Sequence, residues 1–123
     1  MSTREITLGK KGEELVASYL QKQGFIILAV NYRIKAGEVD IIAQKKEVMA
    51  FVEVKLRKNP QFPLSELIVP SKQRKVIKAA LWYISSNRLQ DVVFRFDVAL
   101  LEPQGNDYTI TYIENAFTAS EYS

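Results

Sequence analysis

Gly37-Glu38-Val39-Asp40-Ile41-Ile42-Ala43, then a short polar turn, then Phe51-Val52-Glu53-Val54-Lys55: on these two runs the reading of the chain turns. Both are rich in β-branched and aromatic residues. They are bounded by Lys35-Ala36-Gly37 and Lys45-Lys46-Glu47, so residues 38–44 and 48–56 are predicted as neighbouring antiparallel strands. Side chains on a strand alternate faces. Phe51, Glu53 and Lys55 then share one face, and Glu38, Asp40 and Ile42 share one on the preceding strand. If the numbers of facing residues sum to an odd value, 91 or 93 for a two-residue turn, Asp40 lies opposite or diagonal to Glu53 on the same side. An even sum would separate them.

Working outward, residues 7–23 are predicted as a helix, with Leu8, Leu15, Val16, Tyr19 and Leu20 at helical spacing and Gly24 suited to a left-handed stop. Gly9 and Gly12 are unfavourable in its first turns. Either they permit a close backbone approach or the helix begins later. Residues 25–33 form a first strand of the meander, and 57–70 a loop with Pro60, Pro63 and Pro70. Ser71 is placed to cap a second helix reaching about Asn87, with Val76, Ile77, Ala80, Leu81 and Ile84 as its apolar stripe. Strands at 92–101 and 108–113 follow, joined by the turn at 103–107, and the tail after Glu114 is expected to be loosely held. The order α-β-β-β-α-β-β predicts an α/β fold: one mixed sheet flanked by helices, in a single domain spanning 1–123 with its core at about 7–114.

Composition narrows the chemistry. With 47% hydrophobic and 25% charged residues the chain is globular rather than disordered. It has no cysteine and no histidine, which excludes zinc-finger ligation, thiol catalysis, disulfides and any histidine base. What remains is carboxylate, amine, guanidinium and hydroxyl chemistry, with a hard metal such as Mg²⁺ or Mn²⁺. No signal-peptide core or membrane-length apolar run is present, so a cytoplasmic protein without membrane contact is expected. The net charge is only +3, but it is unevenly spread. Residues 55–88 carry 8 basic and 1 acidic side chains, and residues 89–123 carry 1 basic and 6 acidic. The middle segment is either a phosphate-facing surface or a solubilising helix face.

Charged residues inside apolar strands need compensation. Two converging carboxylates repel, and a divalent cation relieves that repulsion. Held by Asp40 and Glu53, such a cation would polarise a scissile phosphate and activate water, with Lys55 neutralising developing charge. The competing reading is a structural or solvated strand face, since Glu-x-Lys is common there. Asp97 raises the same question and is expected to pair structurally with Arg95 or contact a helix.

The run Gly9-x-x-Gly12-Glu13-x-x-x-Ala17-x-Tyr19-Leu20, Gly24-Phe25, Asn31-x-Arg33, the two strand runs with Arg57, Lys72 and Arg95-Phe96-Asp97 resembles the YraN family over about residues 9–100. That family is in turn similar to the restriction-endonuclease-like superfamily, and especially to archaeal Holliday-junction resolvases. The resemblance implies a restriction-endonuclease-like fold and a Mg²⁺- or Mn²⁺-dependent nuclease acting on DNA, branched or damaged. It implies catalytic residues Glu13, Asp40, Glu53 and Lys55, with Glu13, Asp40 and Glu53 as metal ligands. Glu14 is the competitor for the helix position; one residue is about 100° of helix, so both cannot face the site. Arg57, Lys72, Arg74, Lys75 and Lys78 are expected to contact DNA, and a homodimer is expected by analogy. The alternative is a non-catalytic nucleic-acid-binding module of the same fold. Two departures concern loop shape: Lys45-Lys46-Glu47 and Asn59-Pro60-Gln61 stand where the family usually has glycine.

Overall fold

The alternating apolar pattern of the strands builds one sheet, and the two amphipathic helices close its two faces. The computed structural model describes residues 3–119, with side chains described from residue 9. Its elements are α1 (Thr3–Lys22), β1 (Ile26–Ile34), β2 (Gly37–Lys45), β3 (Val48–Leu56), α2 (Leu64–Leu67), α3 (Pro70–Ser86), β4 (Val93–Gln104) and β5 (Asp107–Phe117). The sheet order is β1-β2-β3-β4-β5. β1, β2 and β3 form the antiparallel meander, β3 and β4 run parallel, and β5 returns antiparallel. The parallel step needs a crossover, which α3 supplies. This α/β arrangement is compatible with the nuclease-like fold that the resemblance implies. No helix among the described residues is long and apolar enough to cross a membrane.

Strand alternation splits the core in two. On one face Ile42, Met49, Phe51, Val98 and Leu100 pack against Val76, Ala79 and Ala80 of α3. On the other, Ile41, Ala43, Ala50, Val52 and Ala99 pack against Val16 and Leu20 of α1. All of these are buried, so each helix is held by area removed from water rather than by propensity. α1 stops as expected: Gly24 has φ +96°, and Phe25 N–H donates to the Leu20 carbonyl at 3.0 Å.

Several boundaries differ from expectation, among them the 103–107 turn, which shrinks to residues 105–106 because β4 runs on through Gln104. α1 starts at Thr3, so Gly9 lies within it; Leu8, assigned to its apolar stripe, lies outside the described side chains. The 57–70 loop contains the short helix α2, because Leu64 and Leu67 can pack on the α3-side core beside buried Ile68. Ser71 does not cap α3. Pro70 occupies the first position after Val69, where its missing N–H costs nothing. Finally, β5 continues past Glu114 to Phe117, whose buried ring stacks on Phe96 at 5.2 Å.

Asp97 is fully buried and fully served. It receives Arg95 Nε–H at 2.9 and 3.1 Å, the Tyr112 hydroxyl at 2.6 Å and Asn115 N–H at 3.0 Å. Asn115 has φ +52° and sits where the β4–β5 register shifts. The carboxylate thus stands in for a ladder acceptor at an irregularity, and the expected structural pairing with Arg95 is what the structure contains. Asp97→Ala should cost about 3–5 kcal/mol in denaturant unfolding, because it strands the Arg95 charge and a buried hydroxyl.

Two glycines mark where helices press on the sheet. A Cβ at Gly12 would come within 2.7 Å of Leu101 Cδ1, and one at Gly37 would overlap the Lys75 backbone carbonyl. Gly9 faces open space. Gly37→Ala should therefore destabilise by at least about 1–3 kcal/mol, because backbone cannot yield as a side-chain tip can. Gly9→Ala should stabilise by up to about 1 kcal/mol. Thermal unfolding of the two variants checks the contrast.

Candidate active site

The β2–β3 ladder runs from Lys45↔Val48 to Ile41↔Val52 and stops there, every facing pair summing to 93. This is one of the two odd registers that the two-residue turn allowed. Lys46 provides the turn with φ +55°, in a place where glycine is easier. Asp40 and Glu53 are the next residues on the two strands.

At that point β2 leaves β3. Asp40 makes no backbone pair with β3; its Oδ2 accepts Val54 N–H at 2.8 Å, replacing the missing carbonyl. Across on β1, the pairs Val30↔Ile41 and Tyr32↔Val39 pass over Asn31, which has φ +55°. Val39 packs in the α3-side cluster and Ile41 in the α1-side cluster, although they lie two residues apart. Alternation therefore breaks at Asp40, and the expectation that Glu38, Asp40 and Ile42 share one face is corrected. Asp40 and Glu53 still meet, because the side chain is delivered to the gap between the strands.

Glu53 is 4% exposed. Its Oε1 lies 3.7 Å from Lys72 Nζ, and its buried Oε2 has no donor. Burial pushes its carboxyl up to about 9, helped by the charge of Asp40 and a hydrogen bond with the Asp40 carboxyl, while Lys72 pulls the other way. The hydrogen bond and the partnerless oxygen are compatible: one proton shared between the carboxyls satisfies them, and with both ionised Oε2 faces nothing.

Helices bring the remaining groups. From α1, Glu13 accepts Asn31 Nδ2–H at 2.8 Å, and burial together with the Asp40 charge raises its carboxyl. Glu14 is exposed, so Glu13 is the helix acid of the cleft. From α3, Lys72 Nζ donates to Glu38 Oε1 at 2.7 Å, and Arg33 Nε lies 3.3 Å from Glu38 Oε2. That Lys72 bond, with the two cations, holds Glu38 below its ordinary range. Burial would depress the Lys72 ammonium, but its carboxylate partners outweigh burial and raise it.

Glu13, Asp40, Glu53, Lys55 and Lys72 all line one cleft of about 480 Å³. Among the described residues, no three acidic side chains form a complete metal-ligand set; the close pair is Asp40 and Glu53. The fit of that pair to a hard cation rests on its mutual repulsion and on the partnerless Oε2. Lys72 enters the cleft rather than lying on an outer face. Arg57 is turned elsewhere, 3.2 Å from Glu102 and toward the Phe62 carbonyl at 3.5 Å. Arg74, Lys75 and Lys78 are exposed on α3. Sequence reasoning gave no role to Asn31 or Glu38, although Asn31-x-Arg33 and Gly37-Glu38 stand in the motif run.

The chain matches the family described as "Uncharacterised protein family UPF0102" over residues 12–101. It is 42% identical to the UPF0102 protein of Desulfosudis oleivorans over 91% of this chain and 90% of that protein. It is 46% identical to that of Trichlorobacter lovleyi over 89% of each, and 38% identical to that of Dictyoglomus turgidum over 95% of this chain and the whole of that protein. The chain belongs to the UPF0102 family, the one that its motifs identify as YraN.

Glu53 gives a pH signature. Its folded value is raised from 4.5 to about 9, so between these values the native state holds a proton that the unfolded chain has released. Metal-free stability should therefore fall as pH rises through that window, by at most about 1.4 kcal/mol per pH unit. Denaturant unfolding in EDTA from pH 6 to 8 measures the slope, and Glu53→Gln should flatten it. An unchanged slope in that variant would show that the proton is held elsewhere.

Proposed function

We propose that this UPF0102 chain hydrolyses DNA phosphodiester bonds using Mg²⁺ or Mn²⁺ held by Asp40 and Glu53, with Glu13 as the third acid. One observation carries the reading: a carboxylate pair at a cleft, Glu53 buried and Asp40 half-buried, with one Glu53 oxygen left without a donor when both are ionised. Neutral burial would be better served by apolar side chains, and a structural acid by hydrogen bonds such as those of Asp97. The chain has no histidine or cysteine, so its ligand set is oxygen-rich and suits a hard cation.

When bound, such a cation polarises a phosphate and lowers the pKa of a bound water. The protein's own part is placement. Val54 N–H orients Asp40, and Lys72 holds Glu53 and Glu38 from α3. Lys55, in the same cleft, supplies an ammonium to charge developing on phosphate oxygens. Lys75 and Lys78, with Arg74, contact phosphates; Arg57 shapes the 57–63 loop through its contact with the Phe62 carbonyl. The resemblance to junction resolvases makes branched or damaged DNA the substrate to try first, and a homodimer the form to look for. A second reading, a nucleic-acid-binding module without catalysis, is favoured by the lack of a complete three-acid set among the described residues.

Calorimetry with Mn²⁺ on wild type and Asp40→Ala separates the two, followed by cleavage of linear and branched DNA. Wild type should bind the ion, Asp40→Ala should lose at least about tenfold in affinity, and Lys55→Met should slow cleavage by about 10²-fold. Equal Mn²⁺ affinity in both proteins would remove the proposed site. DNA binding in EDTA with no cleavage of any form would favour the second reading.

A further inference from the structure

α3 carries Lys72, Arg74, Lys75 and Lys78 and no acidic residue. Its inward side is fixed by buried Val76, Ala79 and Ala80 and by Tyr83, which meets the Phe51 ring. Lys75, Lys78 and Trp82 are spaced i, i+3 and i+7, so they share one stripe on the outer side. All three are exposed, and Trp82 is 57% exposed. A single exposed apolar side chain is ordinary. This one is the chain's only tryptophan, and it continues a line of cations whose first member, Lys72, lies inside the cleft. At 1.5 Å per residue, Trp82 stands about 15 Å along the helix from Lys72.

We propose that this stripe binds an unpaired DNA strand leaving the cleft, its phosphates against Lys75 and Lys78 and one base stacked on Trp82. The inference rests on the DNA reading above and deepens it, since it gives the substrate an unpaired segment beside the cleavable bond. Charge decides the class of partner: exposed Lys75 and Lys78, with no acid between them on the helix, complement a polyanion. The indole decides the form, because a base can present its π-face only when it is not held in a duplex stack. A basic track with an aromatic platform is the arrangement that holds single strands without sequence preference.

The lone tryptophan supplies the readout, and EDTA keeps the test independent of cleavage. Trp82 fluorescence is titrated with a thymidine 12-mer and with a duplex of equal length at low salt, and affinity is measured in parallel with end-labelled strands. The single strand should quench Trp82 saturably and the duplex should not. Trp82→Ser should bind the labelled 12-mer about tenfold more weakly, and Trp82→Phe should keep most of the affinity. Lys75→Gln and Lys78→Gln should each lower the slope of log affinity against log salt by about 0.7. The melting temperature of Trp82→Ser should stay within about 3 °C of wild type, because the side chain is exposed.

Equal 12-mer affinity in wild type and Trp82→Ser would overturn the proposal. So would a Trp82 response to vesicles of anionic lipid without one to the 12-mer, which would make the stripe a membrane contact. Preference for a uridine strand would overturn the choice of DNA. Quenching without cleavage of any DNA would sink the nuclease reading alone, and cleavage without quenching would sink this one alone.

Discussion

Where β2 and β3 part company, the Asp40 carboxylate does the work of a backbone carbonyl, taking Val54 N–H at 2.8 Å. Without that carboxylate the half-buried Val54 N–H would lack an acceptor, at a cost of about 1–3 kcal/mol. Continuing the ladder would pair Asp40 by its backbone and leave its side chain alternating off the sheet. Using the side chain instead satisfies the donor and opens the strands, and it sets a charge against Glu53. The left-handed Asn31 across the way, with φ +55°, belongs to the same irregularity, and its amide then serves Glu13.

The flanking helices are docked so that each adds something to this gap. α1 lies close enough that a Cβ at Gly12 would press on the tip of Leu101, and the next residue is Glu13. α3 lies against the β1–β2 turn at Gly37, where a Cβ would overlap the Lys75 carbonyl, and one turn earlier Lys72 reaches Glu38 and Glu53. The two glycines therefore act on the cleft at one remove. They fix the depth of the helices, and that depth sets which charged groups reach the carboxylates.

Much of this was legible in the sequence, because period and punctuation carry it. The meander and both long helices followed from period and turn residues, and the observed register of 93 is one of the odd values that the short turn allowed. Lys46 in its left-handed turn fixes that register even without glycine. What escaped was set by tertiary contact. The break at Asp40 leaves no mark in the pattern, since Val39 and Ile41 are both apolar whichever face they take. Lys72 looked like one more surface cation, since its burial depends on the docking of α3 rather than on its neighbours in the chain. The continuation of β5 was hidden because Phe117 finds its partner, Phe96, only across the sheet.

Two buried acids allow structure and chemistry to be told apart inside one protein. Asp97 has a guanidinium, a hydroxyl and a backbone N–H on its two oxygens. Such a group is at rest: its charge is matched, and any new ligand would have to displace a partner. Glu53 is equally withdrawn from water, but its nearest cation is 3.7 Å away and shared with Glu38, and one oxygen has no donor. Evolution can satisfy a buried carboxylate, as Asp97 proves on the neighbouring strand, where Val52 pairs with it directly. Leaving Glu53 unsatisfied beside a second acid is a standing energetic burden that only a visiting positive charge or a proton relieves. That contrast at the wall of a cleft is why the proposed reading is placed on Glu53 and not on Asp97.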